Sequence, residues 1–167
     1  MLKVDFEKAY DRVRWDFLEK VMKGKGFPTK WINWTMSTVR GGRVCINVNG
    51  ERSEYFRTYR GLRQGDPLSP LLFNIVADAL GVMLQSAVSK GHLSGVLTDL
   101  ISGGVSHIQY ADDTVIMIEA TEQSIRNLKL ILYCFEWLTG LKINYHKSEV
   151  FVFLVLLGGK RRRWLIY

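Results

Sequence analysis

Two aspartates stand side by side in the stretch H-I-Q-Y-A-D-D-T-V-I-M-I, at Asp112 and Asp113. Adjacent carboxylates repel one another, by about 4 kcal/mol at about 4 Å and an effective dielectric of about 20. Water relieves that repulsion at a solvated turn, which is the ordinary fate of such a pair. A cation relieves it at the edge of a core, and an all-oxygen donor set favours Mg²⁺ or Mn²⁺. The flanking residues Val105, Ile108, Val115, Ile116 and Ile118 are β-branched and apolar. They predict strands over 105–110 and 114–118, with the acidic pair at the hairpin tip and at least one face buried.

A third carboxylate, Asp5, lies in an apolar run over 2–6 that reads as a short buried strand, followed by F-E-K-A-Y-D. Asp11 closes that run and has Arg12 and Arg14 as potential ion-pair partners. If the strand bearing Asp5 lies beside the hairpin, three acids converge. Such a set suits two-metal phosphoryl transfer, in which ions about 3.5–4 Å apart activate an attacking hydroxyl and neutralise the leaving group. The nucleophile then belongs to the substrate, in keeping with a chain that offers no Ser-His or Cys-His arrangement. A further stretch, R-G-L-R-Q-G-D-P-L-S-P at 60–70, places Gly61 and Gly65 where the backbone needs positive φ or close approach. It leads into a helix, so it reads either as a phosphate-holding loop or as a capped loop.

The elements that must position these residues follow from patterning. Helices are predicted over 15–23 and 29–39, separated by the Gly26-Phe27-Pro28 break. A hairpin is predicted from 44–48 and 55–59 around Asn49-Gly50. A long helix over 70–88 shows Leu72, Ile75, Ala79 and Met83 at spacings of three and four, with Gly81 as a weak point. Another helix follows Thr121, with Ile125, Leu128, Leu132 and Phe135 on one face, and ends at Gly140. A final strand region covers 142–153. Mixed strands and helices with hairpins argue α+β rather than a parallel doubly wound sheet.

Composition bounds the rest. The 167 residues, 47% of them hydrophobic, suffice for one domain with a core. The longest uninterrupted apolar run, over 150–157, is shorter than the roughly 18–20 residues a bilayer span needs, and the charged start M-L-K-V-D-F-E-K is unlike a signal peptide. No membrane partner is therefore expected. Cys45 and Cys134 have no paired spacing, and His92, His107 and His146 form no ligand pattern, so neither a zinc site nor a disulfide scaffold is expected. Four units of the net charge of +7 come from the run at 160–163, and general basicity is thus a weak pointer to nucleic acid.

Four segments in order resemble the polymerase signatures of LINE-type (non-LTR) retrotransposon reverse transcriptases, plant elements in particular. L-K-V-D-F-E-K-A-Y-D at 2–11 resembles the first, R-G-L-R-Q-G-D-P-L-S-P-L-L-F-N at 60–74 the second, Y-A-D-D at 110–113 the third and G-L-K-I-N-Y-H-K-S at 140–148 the fourth. The resemblance covers roughly 2–153. It implies a polymerase palm, a ferredoxin-like antiparallel sheet packed on helices, over 1–153, followed by an unmatched basic and apolar tail over 154–167. It also implies a fragment lacking complete fingers and thumb.

By that resemblance the activity is RNA-directed DNA synthesis: dNTPs are added to a DNA primer 3′-hydroxyl along an RNA template, with two Mg²⁺ ions, or Mn²⁺ in their place. Asp5, Asp112 and Asp113 would be the metal ligands. Phe6 would lend its backbone to the metal or triphosphate, and Tyr10 would pack under the deoxyribose and exclude a 2′-hydroxyl. Gln64 and Gly65 would line the incoming nucleotide and template. Lys147, or Lys142, would approach the triphosphate and protonate the pyrophosphate. The family setting implies a nuclear location. Two alternatives are an inert palm remnant and an enzyme of the group II intron maturase or retron kind.

Overall fold

The computed structural model describes residues 1–98, 101 and 104–151. The chain opens with β1 (Leu2–Val4), β2 (Phe6–Glu7) and the short helix α1 (Ala9–Arg12). Helices α2 (Trp15–Gly24) and α3 (Thr29–Arg40) follow, then the short strands β3 (Arg43–Val44), β4 (Asn47–Val48), β5 (Glu51–Arg52) and β6 (Phe56–Arg57). The long helix α4 (Ser69–Ser89) leads to β7 (His107–Tyr110) and β8 (Asp113–Ile116). Helix α5 (Glu122–Thr139), β9 (Lys142–Ile143) and β10 (Glu149–Val150) complete the described elements.

The main sheet has the order β10-β1-β8-β7, and every neighbouring pair in it is antiparallel. Its register couples Leu2 with Ile116 and Val4 with Thr114 on one side, and His107 with Ile116 and Gln109 with Thr114 on the other. Side chains alternate faces along a strand. One face therefore carries Val4, His107, Gln109, Thr114 and Ile116, and it packs on α4. The opposite face carries Lys3, Ile108, Tyr110 and Val115, with Ile108 60% and Tyr110 83% exposed. A sheet covered on one side and exposed on the other is the arrangement expected of the α+β palm.

Three strand expectations change in detail. The run over 2–6 is two strands, because the chain changes sheets at Asp5: β1 pairs with β8 and β10, whereas β2 pairs with β9. The final strand region splits for the same reason, since β9 joins β2 and β10 joins β1, with a turn between them. Its end, and the tail at 154–167, lie outside the described residues. The hairpin around Asn49-Gly50 forms, with both residues at positive φ (53° and 89°). Its arms pair closer to the turn than expected, at Asn47–Arg52 and Val48–Glu51, and again at Arg43–Arg57 and Val44–Phe56.

Helix α4 is the centre of the molecule, packed against α2, α5 and β7. Its fully buried positions include Leu72, Phe73, Val76, Leu80 and Leu84. Of the stripe read in the sequence, Leu72 belongs to this set, while Ile75, Ala79 and Met83 are half-buried beside it. Covered on several sides, α4 is apolar nearly all round, as a core helix is. By length and composition alone it is also long and apolar enough to cross a bilayer, a property hidden in the sequence by the interruptions at Asn74, Asp78 and Gln85. In α5 the inward face runs through Ser124, Leu128, Phe135 and Thr139, and Ile125, expected on that face, is 49% exposed. Thr121 caps α5 by accepting a hydrogen bond from the Ser124 amide (3.1 Å), and Gly140 ends it at φ 81°.

Glycines make the tightest joints. A Cβ on Gly81 would lie 2.8 Å from His107 Nε2, so the residue that weakens α4 as a helix is what lets the sheet approach it. Gly61 (φ 90°) and Gly140 (φ 81°) both press on the backbone around the end of α1. A Cβ would meet the Asp11 carbonyl oxygen at 2.7 Å in one case and that of Arg12 at 2.5 Å in the other. Hydrogen bonds complete these contacts, from the Gly61 amide to Val13 O (2.8 Å), from Leu62 to Tyr10 O (2.7 Å) and from Arg14 to Thr139 O (2.8 Å). Arg12 and Arg14 do not pair with Asp11. Asp11 and Arg12, consecutive on α1, point apart, so Arg12 binds Glu7 (2.8 Å) instead, and Arg14, beyond α1, binds Asp16 (2.7 Å).

Gly61→Ala and Gly140→Ala each combine left-handed strain with a backbone clash, and each is expected to cost roughly 2–4 kcal/mol, or roughly 5–15 °C in Tm. Gly24→Ala, with ordinary φ and open space around it, serves as the control and should leave Tm within about 2 °C. Calorimetry on the three variants checks this. Burial holds the His107 imidazole below its ordinary pKa, and the nearby Asp78 only partly offsets the shift. Below about pH 6.5 the unfolded chain therefore binds a proton that the folded chain resists, and stability falls as pH falls. Chemical denaturation at about pH 7.5 and about pH 5.5 should show that loss, and His107→Gln should reduce its size.

Candidate active site

The acidic tip is a two-residue turn. Tyr110 and Asp113 are the last couple of the β7–β8 ladder, and Ala111 and Asp112 connect them. Ala111 adopts φ 52°, a left-handed conformation that costs a residue with a Cβ about 1 kcal/mol or more. Asp112 and Asp113 are both exposed.

Asp5 comes to this tip through β1. Val4 is coupled to Thr114, so Asp5 and Asp113 are the next positions along the same row of adjacent strands. By the alternation of faces both belong with Lys3 and Tyr110 to the exposed side of the sheet. Asp5, Asp112 and Asp113 take part in none of the ion pairs among the described residues. Three hard oxygen donors without basic partners suit a divalent cation in kind. Among the described residues, however, no group of three or more His, Cys, Asp or Glu side chains is gathered closely enough to hold a metal ion. The fold aligns the backbone positions and leaves the carboxylates apart.

Asp5 is held by two residues to which the sequence pattern gave no role. Its amide donates to Ser148 Oγ (3.2 Å), and its carbonyl accepts from the Asn144 amide (2.8 Å). Both partners lie between β9 and β10, so this connection grips Asp5 where the chain changes sheets. Asn144 acts through its backbone amide and Ser148 across 143 positions of sequence, so neither residue type signalled the contact. Lys147 lies in the same turn with its side chain exposed and its amide donating to Asn144 O (3.1 Å). Lys142 is exposed on β9, opposite Glu7.

Phe6, the first residue of β2, is buried with its ring 5.8 Å from that of Phe135. Tyr10, on α1, stacks on Phe73 of α4 (4.7 Å between centroids, 16° between planes). Trp15 Nε1 donates to Gly61 O (2.6 Å), which ties α2 to the loop before α4. In that loop Gln64 and Gly65 are exposed, and Gly65 has φ 86° with open space where a Cβ would point. Amides at the start of α4 are already occupied: Asp66 Oδ1 accepts from Leu68 N (2.8 Å), and Asp66 O accepts from Ser69 N (3.1 Å). These bonds belong to the turn that enters the helix, and no side chain caps α4 itself.

Comparisons with known proteins supply the family. The reverse transcriptase (RNA-dependent DNA polymerase) profile matches residues 1–167. The chain is 31% identical over 144 residues to the retrovirus-related Pol polyprotein from the type-2 retrotransposable element R2DM of Drosophila melanogaster. It is 33% identical over 119 residues to that of the type-1 element R2 of Nasonia vitripennis. These matches take in 86% and 71% of the chain but only 13% and 11% of the relatives, so the chain spans a small part of their length. Among solved structures, a telomerase from Candida tropicalis in complex with a fragment of telomeric RNA superposes with a TM-score of 0.64 at 16% identity, over 89% of this chain and 25% of that one. An apo form of that telomerase, truncated from the C-terminal domain, gives 0.63 at 18% identity over 89% and 29% of the two chains. This likeness speaks for the fold. The chain belongs to the reverse transcriptase (RNA-dependent DNA polymerase) family and falls with its non-LTR retrotransposon members.

Proposed function

We propose that this chain is the catalytic palm of an RNA-directed DNA polymerase that extends a DNA primer on an RNA template. The observation that supports the reading most is the row of Asp5 and Asp113 beside the Asp112 turn, on the exposed face of the sheet. A template–primer duplex needs such an open face, and the acids stand at one end of it.

Asp5, Asp112 and Asp113 would hold two Mg²⁺ ions, which when bound supply activation of the primer 3′-hydroxyl and neutralisation of the departing pyrophosphate. The protein's own part is positioning. Asn144 and Ser148 fix the Asp5 backbone, and the Ala111 turn presents the acidic pair. Phe6 offers backbone groups from a buried anchor. Tyr10, backed by Phe73, offers a rigid ring to the sugar, and a 2′-hydroxyl would meet that ring. Gln64 and Gly65, unhindered in their loop, contact nucleotide and template. Lys147 brings an ammonium that can donate a proton to the leaving pyrophosphate oxygen. The R2 relatives favour a retrotransposon setting over an intron one.

A catalytically inert remnant is the second reading, favoured by carboxylates that are not gathered into a metal-holding group, with Asp112 and Asp113 exposed and Asp5 half-buried. Magnesium-dependent primer extension by the 167-residue chain itself separates the two, since an inert remnant incorporates nothing. In a chimaera that sets this segment into a full-length R2 polyprotein, Asp112→Asn should lower extension about a thousandfold, equivalent to about 4 kcal/mol of lost transition-state stabilisation. Substantial residual synthesis would refute the assignment. In the same chimaera Tyr10→Val should relax discrimination against ribonucleotides by about tenfold or more. Single-nucleotide incorporation with dNTP and rNTP measures it, and an unchanged ratio removes Tyr10 from the sugar contact.

A further inference from the structure

The last turn of α5 carries an acid to which neither the motif pattern nor the proposed chemistry gives a part. Glu136 stands close to the end of the helix at Thr139, where the outward carbonyl groups make a negative charge unfavourable. Among the described residues it takes part in no ion pair that would offset this. Its half-buried carboxylate is committed to main chain instead: Oε1 accepts from the Ile143 amide at 2.6 Å, a short, charge-assisted hydrogen bond. Its own carbonyl accepts from the Gly140 amide (2.9 Å), so one residue both closes the helix and holds the strand that follows.

That strand leads to Asp5. Ile143 ends β9, which pairs with β2 through two couples, Ile143 with Phe6 and Lys142 with Glu7. So short a ladder is marginal without an outside anchor. The next residue, Asn144, donates its amide to the Asp5 carbonyl (2.8 Å). Phe135, beside Glu136 in the helix, acts on the other strand, with its ring 5.8 Å from that of Phe6. Phe135 is fully buried, so this turn of α5 is fixed to the core and grips β2 and β9 together. A local rule is broken at Glu136, and the gain appears only across the fold. We infer that Glu136 is a positioning residue for Asp5: it sets β9 against α5 and, through Asn144, the place of the Asp5 backbone beside the acidic tip. The effect on synthesis rests on the polymerase reading; the main-chain coupling needs neither metal nor nucleotide.

Amide hydrogen exchange, followed by NMR on the 167-residue chain without metal, measures the coupling. Glu136→Ala should speed exchange at Ile143 and Asn144 by about tenfold or more, while Leu80 in α4 and Ile116 in β8 keep their parent rates. Glu136→Gln, whose side-chain carbonyl can accept the same bond, should stay within about threefold of the parent, and the shorter Glu136→Asp should behave like the Ala variant. Glu122→Ala removes an exposed acid from the first turn of the same helix and should alter neither amide. In the R2 chimaera Glu136→Ala should lower kcat by about 10–100-fold, the usual effect of losing a partner that orients a metal ligand, and leave KM for dNTP within about twofold. Glu136→Gln should recover most of that loss. Unchanged protection of Ile143 and Asn144 in Glu136→Ala, a uniform loss of protection across the fold, or a Gln variant no better than Ala would each overturn the inference. So would a kcat loss below about threefold in a chimaera that Asp112→Asn inactivates. If Asp112→Asn leaves synthesis intact, the polymerase reading fails by itself, and the exchange rates at Ile143 and Asn144 still decide whether Glu136 holds the Asp5 backbone.

Discussion

The backbone from Tyr10 to Arg14 is clasped from two sides by chain segments distant in sequence. Gly61 approaches it from the loop before α4, and Gly140 approaches it from the end of α5. Each contact is main chain against Cα, with no room for a side chain, and each uses a left-handed φ that glycine adopts without penalty. This double contact fixes the first, second and fourth motif segments relative to one another. It also sets where Tyr10 meets Phe73 and where the loop bearing Gln64 begins. Main-chain packing of this kind leaves little freedom for drift between elements, whatever the surface side chains become.

The main sheet is built around a difference between its faces. On the inner face His107 lies against Gly81, and Gln109 Nε2 donates to Ala77 O (3.2 Å), so β7 is bound to α4 by polar as well as apolar contacts. Thr114, fully buried beside them, has a hydroxyl without a hydrogen-bond partner, which the packing must carry at some cost. The outer face has no such constraint and shows exposed Ile108 and Tyr110.

Two surfaces of the free chain are electrostatically unsatisfied, and they have opposite sign. At the acidic tip three aspartates stand without basic partners, and on the outer hairpin Arg43 and Arg57 face each other without acids. Among the described residues some charges pair locally, as Lys23 and Arg40 do with Glu19. Local rules are broken where a ligand repays the violation.

Local chemistry alone was enough to place the acidic pair at a hairpin tip, the Asn49-Gly50 hairpin, the start of a helix after Thr121 and its stop at Gly140, because each depends on a few neighbouring residues. The order of four motifs was likewise legible, since it is a property of the string. Tertiary structure decided the rest. Periodicity could not say that β1 ends at Val4, because the end is set by β9 and β10 arriving from the far end of the chain to pair on either side of Asp5. Nor could it say that Gly81 makes room for His107, or that Ser148 and Asn144 hold Asp5, since these partners meet only across the fold. Composition names which groups can do chemistry; long-range pairing alone determines which of them share a face, and that is a matter of register rather than residue type.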